Sequence, residues 1–378
     1  MHPIRLDFIE TIHQRISGGL PLIQVLLGPR QVGKTTGVKQ LIQDTSSEFA
    51  SHYASADAVF KGDWTWIEHQ WQQAVYKGPG TLLVLDEIQK IENWSEIIKK
   101  LWDQHLEKDT RLRVLLLGSS SLALQTGLTE SLTGRFELIR AYHWGPQESE
   151  IAFKYDFSKY LSFGGYPGAS SFDDDEDRWL SYVQSSIVET VIDKDILQLR
   201  TITRPALFRQ VFALVCSYPA QELSLRKLVG QLQDSGAVET IQNYLEILAG
   251  AFLVTTLSKY STNRLQKKSS SPKLMPMAPA LCSFARGTTE ISNEERGRIF
   301  ELVVGLELLK RRGKTYYWRQ GNDEVDFVYQ EGKKLIAIEV TSGRKKSKKG
   351  LAKFKENFPE AQIALVDHEN FFSFFKNL

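Results

Sequence analysis

Gly28-Pro29-Arg30-Gln31-Val32-Gly33-Lys34-Thr35 decides the reading of this chain, because the segments on either side turn it from a glycine-rich octapeptide into a built loop. Pro21-Leu22-Ile23-Gln24-Val25-Leu26-Leu27 runs into it as a buried strand, and Thr35-Thr36-Gly37-Val38-Lys39-Gln40-Leu41-Ile42 leaves it with helical periodicity. Glycine lets successive backbone N–H groups turn toward one anion, and the N-terminus of the following helix adds positive potential. In a loop of this form the lysine, Lys34, reaches the β and γ phosphates of a nucleoside triphosphate, and the hydroxyl of Thr35 holds Mg²⁺. Gly28, Pro29, Arg30, Gln31, Val32, Gly33, Lys34, Thr35 and Thr36 are therefore the expected nucleotide-binding residues.

A second carboxylate-bearing strand completes the chemistry. Thr81-Leu82-Leu83-Val84-Leu85 is apolar and ends in Asp86-Glu87, a costly ending for a buried strand unless a cation lies beside it. Asp86 is expected to share the Mg²⁺ site with Thr35, and Glu87 to orient or deprotonate the attacking water. Arg113-Val114-Leu115-Leu116-Leu117 is a further strand, followed by Gly118-Ser119-Ser120. In open α/β sheets ligands gather at the carboxyl ends of strands, where Ser119 would hold the lytic water; a serine-rich turn is the alternative. Arg135 follows in Leu132-Thr133-Gly134-Arg135. It would reach the γ phosphate of a neighbouring subunit as an arginine finger, or else make a surface salt bridge.

At 378 residues the chain calls for two or three domains, and 42% hydrophobic with 24% charged residues is a globular composition. The net charge of +2 does not by itself point to nucleic acid. The two cysteines, Cys216 and Cys282, make neither a disulfide framework nor a zinc set. No apolar run reaches membrane-spanning length and no signal-peptide core is evident, so the expected location is cytoplasmic.

Strand–helix alternation continues to about residue 145, with an opening helix marked by Leu6, Phe8, Ile9, Ile12 and Ile16. The aromatic stretch Trp64–Trp71 reads as a helix packed on the sheet rather than a stacking surface for bases. Helices dominate from 155 to 260. Ser224–Leu232 and Val238–Leu248 followed by the strand Phe252–Leu257 make a winged-helix outline. The tail alternates again: a helix from Glu294 to Lys310, strands at Thr315–Arg319, Val325–Tyr329 and Leu335–Val340, a helix at Leu351–Phe358 and a strand at Gln362–Val366.

The loop, Leu85-Asp86-Glu87-Ile88-Gln89-Lys90, Gly118-Ser119-Ser120-Ser121 and Leu132-Thr133-Gly134-Arg135 together resemble a large family of bacterial and archaeal AAA+ ATPases. Gly164-Gly165-Tyr166-Pro167 and Tyr244-Leu245-Glu246-Ile247-Leu248 fit it too. The resemblance implies an α/β chain with a P-loop AAA+ parallel-sheet domain at 1–150, a helical and winged-helix domain at 151–275, and a C-terminal α/β domain like the PD-(D/E)XK nucleases at 276–378. It implies hydrolysis of ATP with Mg²⁺ and a homo-oligomeric, hexameric ring in which each Arg135 serves its neighbour.

In the nuclease-like tail, Glu301 on a helix, Asp326 on a strand and Glu339 on the next strand follow the order of that core, and would gather a second Mg²⁺ with the Val340 carbonyl. The lysine expected two places after Glu339 is replaced by Thr341, which brings neither positive charge nor basicity. Lys345 or Lys346 would have to fold back to restore it. Binding of nucleic acid without cutting, an active nuclease and a dimerisation module all stay open. Arg344, Lys345, Lys346, Lys348 and Lys349, with Lys353 and Lys355 beyond, would touch a phosphate backbone or form a solvated basic loop. The expected function is ATP hydrolysis coupled to binding or remodelling of duplex or branched DNA. An ATP-dependent switch for a protein partner and an ATP-gated nuclease are the alternatives.

Overall fold

Five short runs assemble into one sheet, whose inner strands are apolar enough to be covered on both faces. In the computed structural model, which describes the chain apart from residues 1–3, 60–63, 108–110, 119–124, 126–127, 129–130, 199–200, 233–236, 262–269 and 342–348, these strands are β1 (Ile23–Leu27), β2 (Ser51–Ser55), β3 (Leu82–Asp86), β4 (Arg113–Leu117) and β5 (Phe136–Arg140). They lie in the order β2-β3-β4-β1-β5, and every pairing is parallel. β1 and β3 are buried along their whole length, as strands covered on both faces should be. The edge strand β2 is half-buried throughout, which is why its residues do not form an apolar run.

The opening helix, Asp7–Ser17, buries Phe8, Ile9, Ile12 and Ile16 on one stripe. Phe8 and Ile9 press on Gly37 of the helix Lys34–Asp44, where an added Cβ would come within 2.7 Å of the Phe8 ring. The aromatic helix spans Thr65–Tyr76 and buries Ile67, Trp71 and Ala74, while Trp64 before it is 53% exposed. Packing therefore accounts for Trp71, and Trp64 stays at the surface.

The described chain divides into two compact units: Met1–Tyr142 with Glu189–Arg200, and His143–Val188 with Thr201–Leu378. The first holds the parallel sheet. Its returning segment includes a stretch of π-helix at Val191–Leu197, a geometry often found at functional positions.

In the second unit the helices Leu225–Gln231 and Val238–Gly250 lie in the chain between the first and second strands of a three-stranded antiparallel sheet. Its strands are β6 (Gln221–Glu222), β7 (Val254–Leu257) and β8 (Lys273–Pro276), in the order β6-β8-β7. A four-stranded sheet follows, made of β9 (Lys314–Gln320), β10 (Asp323–Glu331), β11 (Lys334–Val340) and β12 (Gln362–Val366), in the order β12-β11-β10-β9. One face packs Trp318, Val325, Val328, Leu335 and Ala337 against Leu351 and Phe354 of the helix Lys349–Asn357. The sequence reading assigns no element after residue 366, yet a helix, Phe371–Asn377, closes the chain and buries Phe371 and Phe375. Strand β8 crosses the boundary expected near residue 275: it pairs with β7, while the terminal methyl of its Met275 lies 2.5 Å from where a Cβ on Gly305 of the helix Asn293–Leu309 would sit.

Candidate functional site

The phosphate loop lies between the end of β1 and the helix Lys34–Asp44. Gly28 leaves β1 against Ala141, whose carbonyl oxygen would be 2.6 Å from a Cβ at this position, so the close approach requires glycine. Gly33 caps the helix with φ 85°, and Gln31 also has positive φ at 60°. This backbone turns the loop back on itself and leaves the helix N-terminus behind it.

Lys34 is 7% exposed, and its ammonium donates to the loop's own carbonyls, Gly28 at 3.0 Å and Pro29 at 2.6 Å. Burial pushes its pKa down to about 8, against the opposing pull of Glu87. A triphosphate beside it would supply the negative charge that a buried ammonium needs. Thr35 Oγ1 donates to Asp86 Oδ2 at 2.8 Å, which joins the two residues expected at the Mg²⁺. Hydroxyl and carboxylate are oxygen donors suited to that ion, so these residues fit it.

The acidic pair has two partners to which the sequence reading gave no role, Gln89 lying within the quoted motif and Tyr53 outside any. Tyr53, on β2, donates to Asp86 Oδ2 at 2.7 Å, and burial with this bond raises the phenol's pKa. Gln89 donates to Glu87 Oε2 at 2.6 Å. Glu87 itself sits at φ 54°, in the left-handed region, directly after the strand. Such strain persists where the surroundings fix it, and is common at active sites. At this turn the Glu87 N–H donates to Asp86 Oδ1 at 2.9 Å, while the Glu87 carboxylate accepts from Gln89.

Arg30 of the loop is held by Asp195 of the returning segment, with Nε and Nη2 donating at 2.5 and 2.7 Å to its two carboxylate oxygens. Asp195 is 5% exposed, and the two-point bond raises the guanidinium pKa. This ion pair, Arg30 and Asp195, also acts on the charge of Lys34. Nothing in the sequence near 195 marks it.

Arg135 makes a two-point bond to Asp103 within the same chain, at 2.7 and 3.0 Å, and remains partly exposed. Ser119 lies outside the described residues, as do Arg344, Lys345, Lys346 and Lys348. Lys349 is exposed at the start of its helix. Of the basic residues that follow, Lys353 is paired with Glu356 at 2.7 Å and Lys355 donates to the Ala361 carbonyl at 2.5 Å.

In the C-terminal sheet, Asp326 lies where β10 shifts register against β9, between Val325 and Val328, a bulge that re-aims its side chain. The pairing Phe327–Ile338 sets Asp326 opposite Glu339 on β11, and both are 5% exposed. The Val340 N–H donates to Asp326 Oδ2 at 2.8 Å. Glu301, however, is taken by Lys273 of β8, whose ammonium also donates to the Asp326 carbonyl at 2.9 Å. Among the described residues no group of three or more His, Cys, Asp or Glu converges as a metal site. Thr35 and Asp86 are joined oxygen donors of the kind Mg²⁺ takes, whereas in the C-terminal sheet the Glu301 carboxylate is held by Lys273.

Family models match consecutive parts of the chain: one described as an AAA domain over residues 21–149, and two described as domains of unknown function over 154–292 and 296–377. An uncharacterized protein of Methanocaldococcus jannaschii is 26% identical over 286 residues, covering 68% of this chain. The chain spans only 60% of that relative's length. An uncharacterized protein of Mycobacterium tuberculosis is 26% identical over 327 residues, covering 84% of this chain and 70% of its own length. Among solved structures, the Thermotoga maritima RuvB Holliday junction branch migration motor aligns with a TM-score of 0.34 and 16% identity, over 65% of this chain and 88% of its own. The helices described here include none long and apolar enough to cross a membrane. Residues 21–149 match the AAA domain model, and their parallel five-stranded sheet with a phosphate loop at the end of β1 is the α/β arrangement of a P-loop AAA+ domain.

Proposed function

We propose that this protein hydrolyses ATP at the loop 28–36 and uses the cycle to bind or remodel DNA. The observation that carries the ATPase reading is the convergence of a desolvated Lys34 with the Thr35–Asp86 bond at the end of β3. In this reading the loop amides and Lys34 hold the β and γ phosphates, and Thr35 and Asp86 hold the metal. Mg²⁺, when bound, offsets charge on the phosphates. Glu87 orients the attacking water and takes its proton, with Gln89 fixing the carboxylate. Ser119 and Arg135 would complete the site, the latter by leaving Asp103 for a neighbour's nucleotide in a hexameric ring.

The DNA part rests on the basic run Arg344-Lys345-Lys346-Ser347-Lys348-Lys349. With Lys353 and Lys355 committed to partners in their own helix and loop, contact with phosphates falls to that run. Phosphate release measured with single-stranded, duplex, forked and four-way DNA tests the coupling. Stimulation that weakens steeply with salt is expected. Equal turnover with and without every DNA, joined to no DNA binding at low salt, would rule the coupling out and leave a protein-directed switch.

A further inference from the structure

Lys273 is the residue that gives the C-terminal acidic centre its present chemistry. It lies on β8, 5% exposed, in a strand buried along its whole length. Its ammonium donates to Glu301 and to the Asp326 carbonyl, and stands 4.4 Å from the centre of the Phe327 ring. Carboxylate, carbonyl and ring face together surround the charge as a coordination shell would. Of the carboxylates expected to gather a divalent ion, Glu301 is bonded to Lys273, Asp326 lines the same cleft and gives its backbone carbonyl to the ammonium, and Glu339 lies opposite Asp326 on β11.

Asp326 and Glu339, both 5% exposed and facing each other across the sheet, call for a positive charge nearby, since like charges opposite one another destabilise a sheet and unpaired buried charges are expensive. Lys273 meets that requirement from within the chain. A divalent ion here would compete with Lys273 for the Glu301 carboxylate. It would also sit a few ångströms from a buried ammonium, where repulsion is several kcal/mol even at an effective dielectric constant of about 20. The two cations exclude each other.

We propose that the Lys273 ammonium is the resident cation of this centre, standing where a divalent metal would stand, and that the centre therefore neither binds Mg²⁺ nor cuts phosphodiesters by a metal route. A lysine is indeed brought to the carboxylates despite Thr341, but it arrives from another sheet and fills the metal's place. The cleft around it, about 510 Å³, has more acids than bases in its lining, among them Glu222, Glu301 and Asp326 against Lys273, Arg298 and Arg319. Without a metal, such a lining repels a phosphate backbone. This inference rests on the C-terminal geometry alone and stands or falls apart from the ATPase reading.

Terbium luminescence tests it on the full-length protein, because Trp318 lines the same cleft and would sensitise an ion bound there. Wild type and Asp326→Asn should give the same signal, which assigns any background to other sites. Lys273→Met, or Lys273→Gln if the first does not fold, should gain a signal with about tenfold or greater increase in affinity, and adding Asp326→Asn should abolish the gain. An Asp326-dependent signal in wild type overturns the proposal, and that comparison needs no Lys273 variant. A folded Lys273 variant that gains no Asp326-dependent signal overturns it equally.

Discussion

Lys34 sets the pH behaviour of the nucleotide site. Its folded-state pKa is depressed to about 8 from the ordinary 10.5 by burial. Below pH 8 both folded and unfolded chains carry the charge, and the burial penalty is fully present. Between about 8 and 10.5 the folded state releases the proton while the unfolded chain keeps it, so this group makes stability rise with pH across that window. Nucleotide binding follows the opposite course, since phosphate needs the ammonium. Affinity for a fluorescent ATP analogue should fall as pH rises through 8, and calorimetry near pH 8.5 in buffers of different ionisation heat should show proton uptake on binding. An affinity flat from pH 7 to 9.5 would mean that Lys34 does not face the phosphates. At Glu87 the expected split is kinetic: Glu87→Gln should bind ATP as tightly as wild type while turnover falls by about 10²-fold or more, the span of a positioned general base. Unchanged steady-state turnover would remove Glu87 from the mechanism.

At the scale of elements, the Arg30–Asp195 bond fastens the phosphate loop to the π-helical return segment. Asp195→Ala leaves Arg30 one-quarter exposed and without its carboxylate partner, which should cost about 1–3 kcal/mol in urea unfolding, below the range for fully buried pairs. A variant as stable as wild type would show that water already supports Arg30. This bond also marks the limit of what a sequence displays. The phosphate loop and the strands β1, β3 and β4 were legible because motif and apolar run are contiguous in the chain, whereas the half-buried β2 and β5 carry no apolar run. The opening helix was legible because its buried positions recur at helical spacing. Tyr53, Asp195 and Lys273 were not, because each acts on a residue at least 28 positions away and none belongs to a local pattern. The closing helix escaped because Phe371, Phe372, Phe374 and Phe375 sit in a segment too short to establish a period.

For the whole molecule, the question is whether one chain is a complete ATPase. Arg135 is bonded to Asp103 of its own chain, so service to a neighbour requires that bond to open. If it does, specific activity should rise with protein concentration as rings assemble. Arg135→Ala should then lower turnover by about 10³-fold or more while ATP affinity stays unchanged, and Asp103→Ala should leave turnover intact. Equal activity in wild type and Arg135→Ala at every concentration would confine Arg135 to its surface pair.

The most direct test of the account is release of inorganic phosphate from ATP with Mg²⁺, measured side by side for the wild-type protein and Lys34→Ala, with folding of both checked by circular dichroism. The account predicts steady release that disappears when the metal is chelated and is absent from Lys34→Ala. Equal release from the two folded proteins would contradict it.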